Sequence, residues 1–211
     1  MHTDLLALTQ WLSPAFPLGS FAYSHGLEQA VAVGDVSSGE GLHDWILTVI
    51  TQGSGRSDAI LLALAHRAEL DCATLQAEAQ ALAASRERWA ETIDQGTAFT
   101  ETTNALFGET EPPMALPVAV GRASRRLSLD TSSVVALYLQ AFASNLVQAG
   151  VRFIPLGQTE GQKILQALHP PISAVAEAAV SAGLDDIENA SFGADLAAMA
   201  HETMETRVFR T

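Results

Sequence analysis

Residues 130–150 read DTSSVVALYLQAFASNLVQAG, and the spacing of their apolar side chains decides the fold class. Large apolar residues recur every three or four positions, which places them on one stripe of an α-helix. Asp130 is placed to cap the first turn, and Gly150 is placed to end the helix. The stretch predicts a long helix with one face in the core, formed by Val134, Val135, Tyr138, Phe142 and Leu146.

The rest of the chain repeats this helical pattern. Alternation typical of strands is hard to find, and 36 alanines suit helices that approach one another closely. Ser37 and Glu40 fit a capping box before an apolar stripe from Leu42 to Ile50. We therefore predict an all-α protein, a single compact domain over residues 1–211 with about nine or ten helices. Further helical segments are expected at 4–12, 24–33, 58–70, 73–106, 114–126, 159–168, 172–182 and 191–205.

Composition excludes several classes of function. The 211 residues carry a formal net charge of -13, which argues against binding to nucleic acid or to an anionic membrane surface. Cys72 is the only cysteine, so neither an intrachain disulfide nor a cysteine-rich zinc site can form. The N-terminus does not resemble a signal peptide, and no run approaches the roughly 20 apolar residues of a membrane span. We expect a cytoplasmic protein.

Motifs for catalysis are missing from the sequence. Residues 53–56, GSGR, lack the third glycine and the Lys-Ser/Thr of a phosphate-binding loop, and no Gly-x-Ser-x-Gly elbow occurs. No two of the six histidines are spaced to bind a metal from one helix. A basic cluster is interpreted as a solvated helix face paired with acids rather than a phosphate site; it contains Arg122, Arg125 and Arg126. We predict no catalytic residue, no metal site and no cofactor.

Three stretches are unusual for a chain with no catalytic motif. Residues 12–28, LSPAFPLGSFAYSHGLE, are too apolar for an ordinary surface loop. Residues 149–165, AGVRFIPLGQTEGQKIL, place Gln158 and Gln162 on one helix face, where the amides either satisfy a turn or bind a partner. Residues 206–211, TRVFRT, combine an aromatic ring with two arginines at an end that is usually polar and frayed. This end either docks on its own domain or inserts into another protein.

Together these stretches resemble the UreF family of urease accessory proteins. The family's first block is matched by Ser13, Pro14, Pro17, Gly19, Phe21, Tyr23, Ser24, Gly26, Leu27 and Glu28. Its central block is matched by Asn145, Val151, Arg152, Pro155, Leu156, Gly157, Gln158, Thr159, Gly161 and Gln162. A further block is similar at Pro117, Val118, Ala119 and Gly121, and the tail is matched at 206–211 with conservative changes. Four blocks in the right order cover nearly the whole chain.

The resemblance implies an adaptor rather than an enzyme. Proteins of this family form an all-helical homodimer that binds the accessory protein UreD, also called UreH, and then the nickel-carrying GTPase UreG. The assembly docks on apo-urease and delivers nickel to it, and GTP is hydrolysed by the GTPase. The family therefore implies no cofactor of its own for this chain.

The resemblance also implies a set of partner-binding residues. By position, an arm at 205–211 is assigned to the contact with UreD/UreH through Thr206, Arg207, Val208, Phe209, Arg210 and Thr211. Tyr23 is expected to pair with Arg210, and Glu28 is the next candidate to hold a tail arginine. The loop aromatics Phe16, Phe21 and Tyr23 are expected to anchor the domain and the tail. Arg152, Gln158 and Gln162 complete the set, while Ser24 and His25 either pack or contact the partner.

Two questions stay open at this level. The protein either gates the coupling of GTP hydrolysis to nickel transfer or supplies an arginine finger, for which Arg122, Arg125, Arg126 and Arg152 are available. The alternative function is a small all-α enzyme with a site near residues 13–25, although no spacing there marks a catalytic triad; the available side chains are Ser13, Ser20, Tyr23, Ser24 and His25.

Overall fold

The computed structural model describes residues 2–211, so Met1 of the predicted domain lies outside it. The all-α prediction is confirmed: the described residues form eleven α-helices and two short 3-10 turns, at Ser20–Ala22 and Leu184–Asp186. The helices are α1 His2–Trp11, α2 Leu27–Ala32, α3 Gly39–Gln52, α4 Ser54–Arg67, α5 Cys72–Ala81, α6 Arg86–Phe107, α7 Leu116–Ser124, α8 Thr131–Phe153, α9 Gln158–Ala167, α10 His169–Ala179 and α11 Phe192–His201.

Helices α4 and α8 form the centre of the single domain. Both contact α3 and α10, and α4 also packs along α7. Gly121 of α7 permits this approach, because a Cβ atom there would lie only 2.4 Å from the carbonyl oxygen of Leu62. The predicted stripe of α8 lies largely in the core, where Val134, Val135, Tyr138 and Leu146 are all buried.

Within residues 2–211, α8 is the one helix whose length and composition would allow it to cross a membrane. Half of its most apolar 18-residue window is buried inside the protein. We expected no stretch as apolar as a membrane span, and the average composition of α8 corrects that expectation. The apolar side chains of α8 that face the core account for this composition.

Several predicted helix boundaries are wrong for identifiable reasons. Gly150 does not end α8, because its missing side chain makes room for Leu42, whose Cδ2 would lie 2.5 Å from an added Cβ. The stretch 73–106 is two helices, since Ser85 caps the start of α6 by accepting a hydrogen bond from Arg88 N at 3.1 Å. The cap of α3 is Ser38 rather than Ser37. Asp130 caps α8 as predicted.

The apolar loop between α1 and α2 lies against α6. Trp11 and Phe16 both contact the ring of Phe99, with centroid distances of 6.0 and 5.7 Å. His25 and Gly26 adopt left-handed backbone conformations with φ of 60° and 79°. A Cβ on Gly26 would lie 2.8 Å from Ala198 N, so this turn seats α11 directly against the start of α2.

Candidate functional site

The C-terminal residues 205–211, called the tail below, dock on the chain's own domain. Arg210 N donates to Ala22 O at 2.8 Å, and Ser24 N donates to Thr211 O at 3.0 Å. The tail backbone thus pairs with the end of the apolar loop. Of the two possibilities for this end, the structure shows docking on its own domain. The receiving residues, called the tail socket, are Tyr23, Ser24, His25, Glu28, Glu87, Glu91 and His201.

Glu28 holds the tail by its backbone. Its carboxylate accepts hydrogen bonds from Val208 N at 2.7 Å and from Phe209 N at 2.8 Å. The prediction that Glu28 pairs with a tail arginine is therefore wrong, because both carboxylate oxygens are engaged by main-chain donors and by His201. Hydrogen bonds to a charged acceptor are stronger than neutral ones, and Glu28 is almost fully buried.

His201 connects the last helix to the socket. The ring is fully buried, with Nδ1 2.7 Å from Glu87 Oε2 and Nε2 3.2 Å from Glu28 Oε2. The other oxygen of Glu87 accepts a hydrogen bond from Arg207. The imidazole bridges two carboxylates that both bind the tail.

Two tail side chains enter the protein interior. Phe209 is buried, with its ring centroid 5.3 Å from that of Phe153. The guanidinium of Arg152 lies 5.4 Å from the centre of the Phe209 ring and donates to Phe21 O. Thr211 is also buried and donates from Oγ1 to Glu91 at 2.7 Å. The loop of residues 12–28 forms part of the surroundings of these two side chains, and this accounts for its apolar composition.

The expected contact between Tyr23 and Arg210 is present. Arg210 Nη1 donates to the Tyr23 hydroxyl at 3.2 Å, and its guanidinium carbon lies 5.7 Å from the ring centre. The Tyr23 hydroxyl in turn donates to Asp94 at 3.3 Å. Burial, followed by the nearby Asp94 carboxylate, raises the pKa of Tyr23, so the phenol remains neutral and able to donate at physiological pH.

A buried ion pair supports the inner end of the tail socket. Burial alone would raise the pKa of Glu91, but the charge of Arg88 and the contact with His25 outweigh it and hold that pKa at about 2. Arg88 and Glu91 form an ion pair at one turn's spacing on α6. Glu91 is therefore a permanent anion at neutral pH and a strong acceptor for Thr211.

One cluster has the connectivity of a catalytic triad without the properties that catalysis requires. His25 Nε2 lies 2.5 Å from Ser54 Oγ, and Nδ1 lies 3.5 Å from Glu91. Burial, together with Arg88, lowers the pKa of His25 to about 4 against the opposing effect of Glu91, so the imidazole is a weak base at pH 7. The adjoining cavity has a volume of about 40 Å³, room for a few waters and not for a substrate.

Other predicted site residues lie outside the tail socket. Gln158 and Gln162 are exposed on α9, and among the described residues neither has a hydrogen bond to the tail. Phe21 is 63% exposed, so it does not anchor the domain as expected. Arg122 and Arg126 pair with glutamates 109 and 111, which agrees with a helix face neutralised by nearby acids. No cluster of three or more metal-binding side chains occurs within residues 2–211.

The sequence interpretation missed the acidic stripe of α6. Glu87, Glu91 and Asp94 are spaced at i, i+4 and i+7 and therefore share one helix face. This stripe contacts Arg207, Thr211 and Arg210 of the tail, respectively. The spacing was readable, but many acids of this chain are surface residues, and only the folded chain brings this stripe to the tail.

Comparison with known proteins agrees with this structure. A model of the UreF family matches residues 36–169. The chain is 52% identical to the urease accessory protein UreF of Cereibacter sphaeroides over all of both chains. It is 51% identical to UreF of Dinoroseobacter shibae over 98% of each chain, and 48% identical to UreF of Paracoccus denitrificans over 98% of this chain and 95% of that one. The full-length relatives also span the loop and the tail, and the chain belongs to the UreF family of urease accessory proteins.

Proposed function

We propose that this chain is a non-enzymatic adaptor in urease maturation, and that its docked tail is the surface that binds UreD/UreH. The observation that carries the proposal is the division of the tail into buried and exposed faces. Glu28 and the loop hold the tail's main chain, while Val208 is 73% exposed and the side chain of Arg210 is 67% exposed. A short arm held rigidly with its side chains outward loses little conformational entropy when a partner binds.

The helix that leads into the tail adds an apolar surface. Phe192, Leu196 and Met199 follow one another at helical spacing on α11, and the first two are 70% and 64% exposed. Exposed large apolar side chains at regular spacing on a helix are typical of protein–protein contact sites. Val208 is a further exposed apolar side chain in the last twenty residues, and these exposed residues support a protein partner for this end of the chain.

The adaptor would join UreD/UreH to the GTPase UreG and to apo-urease for nickel insertion, acting as a homodimer in the cytoplasm. Gating of the GTPase is favoured over an arginine finger, because the arginines of α7 and the turn that follows it are engaged within the chain. Arg125 Nε donates to Ala65 O, and Arg122 pairs with Glu111. Arg152, Gln158 and Gln162 remain candidate contacts of these partners.

The decisive experiment separates docking of the tail from binding of the partner. Val208→Asp alters only an exposed side chain, so the domain and the docked tail should persist while copurification with UreD/UreH falls at least tenfold. Val180→Asp, at the exposed residue that follows the last turn of α10, is the matched control and should copurify normally. Removal of residues 205–211 should abolish the complex, and Tyr23→Ala should weaken it. A folded tail deletion that binds UreD/UreH with unchanged affinity would refute the proposal.

A further inference from the structure

A cleft of about 490 Å³ lies between the apolar loop, α6 and α8. Its apolar lining includes Pro14, Leu18 and Phe209. Its polar lining includes Asp58, Arg88, Glu91, Gln95, Tyr138 and Gln140. A concave site of this volume, mainly apolar with a few convergent polar groups, has the form of a small-ligand site. The adaptor role assigns nothing to it.

One of the two carboxylates that line the cleft lacks an ion-pair partner within residues 2–211. The lining also contains two arginines, Arg88 and Arg152, and Arg88 is paired with Glu91. Asp58 accepts a hydrogen bond from the Tyr138 hydroxyl at 2.8 Å, and no cation among residues 2–211 lies within ion-pair distance of it. Burial raises the pKa of Asp58 to about 6 against the effects of Tyr138 and Arg88, so the carboxylate is ionised at pH 7 but poorly compensated.

An amide group adds a second acceptor without a donor. Gln140 Oε1 is buried and has no hydrogen-bond partner in the described chain. The exposed guanidinium of Arg152 also lines the cleft; it donates to Phe21 O and lies over the Phe209 ring, and within residues 2–211 it forms no ion pair with Asp58. Buried acceptors are normally satisfied, and both of these acceptors face the same cleft. The missing component is a group that carries N–H donors and positive charge.

We propose that this cleft binds a guanidinium or primary ammonium group carried on a short alkyl stem. Asp58 and Gln140 would accept its N–H donors, and the apolar wall formed by Leu12, Leu18 and Phe142 would hold the stem. An ionised carboxylate kept in a cleft at a cost in stability is a mark of a functional site. The site is independent of the tail's exposed face, so it goes beyond the adaptor function.

The test uses the full-length protein and a pair of isosteric probes, n-butylguanidinium and the neutral n-butylurea, in calorimetric titrations at pH 7. We expect n-butylguanidinium to bind at least tenfold more tightly. Asp58→Asn should remove that preference, whereas the matched control Asp35→Asn, at an exposed aspartate, should retain it. Gln140→Leu provides a second variant, with an expected several-fold loss of affinity for the cation.

The source of the cation is distinguished by a parallel titration with an acetylated, amidated Gly-Arg-Gly peptide. Tighter binding of n-butylguanidinium identifies a free small molecule, and tighter binding of the peptide identifies an arginine of another protein; both results support the cation site. Equal affinity for n-butylurea and n-butylguanidinium would overturn the proposal. The absence of binding at millimolar probe, or unchanged binding in folded Asp58→Asn and Gln140→Leu, would also overturn it.

Discussion

The substitution Glu28→Gln tests how the tail is held. The carboxylate accepts two main-chain N–H groups, from Val208 and Phe209, at 2.7 and 2.8 Å. Hydrogen bonds to a charged acceptor contribute about 1.5–3 kcal/mol each. A glutamine retains one acceptor oxygen and turns an NH₂ group toward the other donor. We therefore expect the tail to dock about 3 kcal/mol less favourably, which corresponds to a roughly 100-fold larger fraction of undocked tail.

Hydrogen exchange of the two tail amides measures this change directly. In Glu28→Gln, exchange at Val208 and Phe209 should accelerate about 100-fold, because both amides are protected by the carboxylate that the variant lacks. Amides of the core helix α8 should exchange at the wild-type rate. Glu205→Gln is the matched control, since it makes the same chemical change at an exposed tail position. Wild-type exchange at the two tail amides in a folded Glu28→Gln protein would refute this account of the socket.

Three further predictions concern stability. Burial raises the pKa of Asp58 from 3.8 to about 6, so the folded protein binds a proton at this carboxylate more tightly than the unfolded chain does. The free energy of unfolding therefore increases as the pH falls and Asp58 becomes protonated. Asp58→Asn should therefore raise the free energy of unfolding by about 3 kcal/mol at pH 7, and urea denaturation should show this gain shrinking toward zero by pH 4; an equal gain at both pH values would contradict it. Gly96→Ala should lower Tm markedly, because the new Cβ would overlap Met114 O, whereas Gly193→Ala, with open space around it, should stabilise by about 0.5–1 kcal/mol. Asp130→Ala should cost about 1 kcal/mol in chemical denaturation by removing the cap of α8, and an unchanged midpoint would show that the cap is dispensable.

Local signals in the sequence predicted much of the fold. The period of α8 and its Asp130 cap come from neighbours in the chain, so they could be read without the structure. The break between α5 and α6 could not, because the Ala-rich stretch contains neither glycine nor proline near residues 82–85. Gly150 was misread for a related reason: a glycine that ends a helix and one that admits a neighbouring side chain are identical in sequence.

The sequence by itself determined the helical class, the family and the absence of familiar catalytic motifs. It also predicted that the N-terminal loop and the C-terminal tail are in contact through Tyr23 and Arg210. Only the tertiary structure decided that Glu28 binds main chain rather than arginine, that His201 is buried between two glutamates, and that Asp58 faces a cleft. The physical reason is that periodicity and capping act within about one turn of helix, whereas the charge balance of a carboxylate depends on groups from distant segments. Glu28 and the tail atoms it binds are about 180 residues apart in the chain, and only folding brings them together.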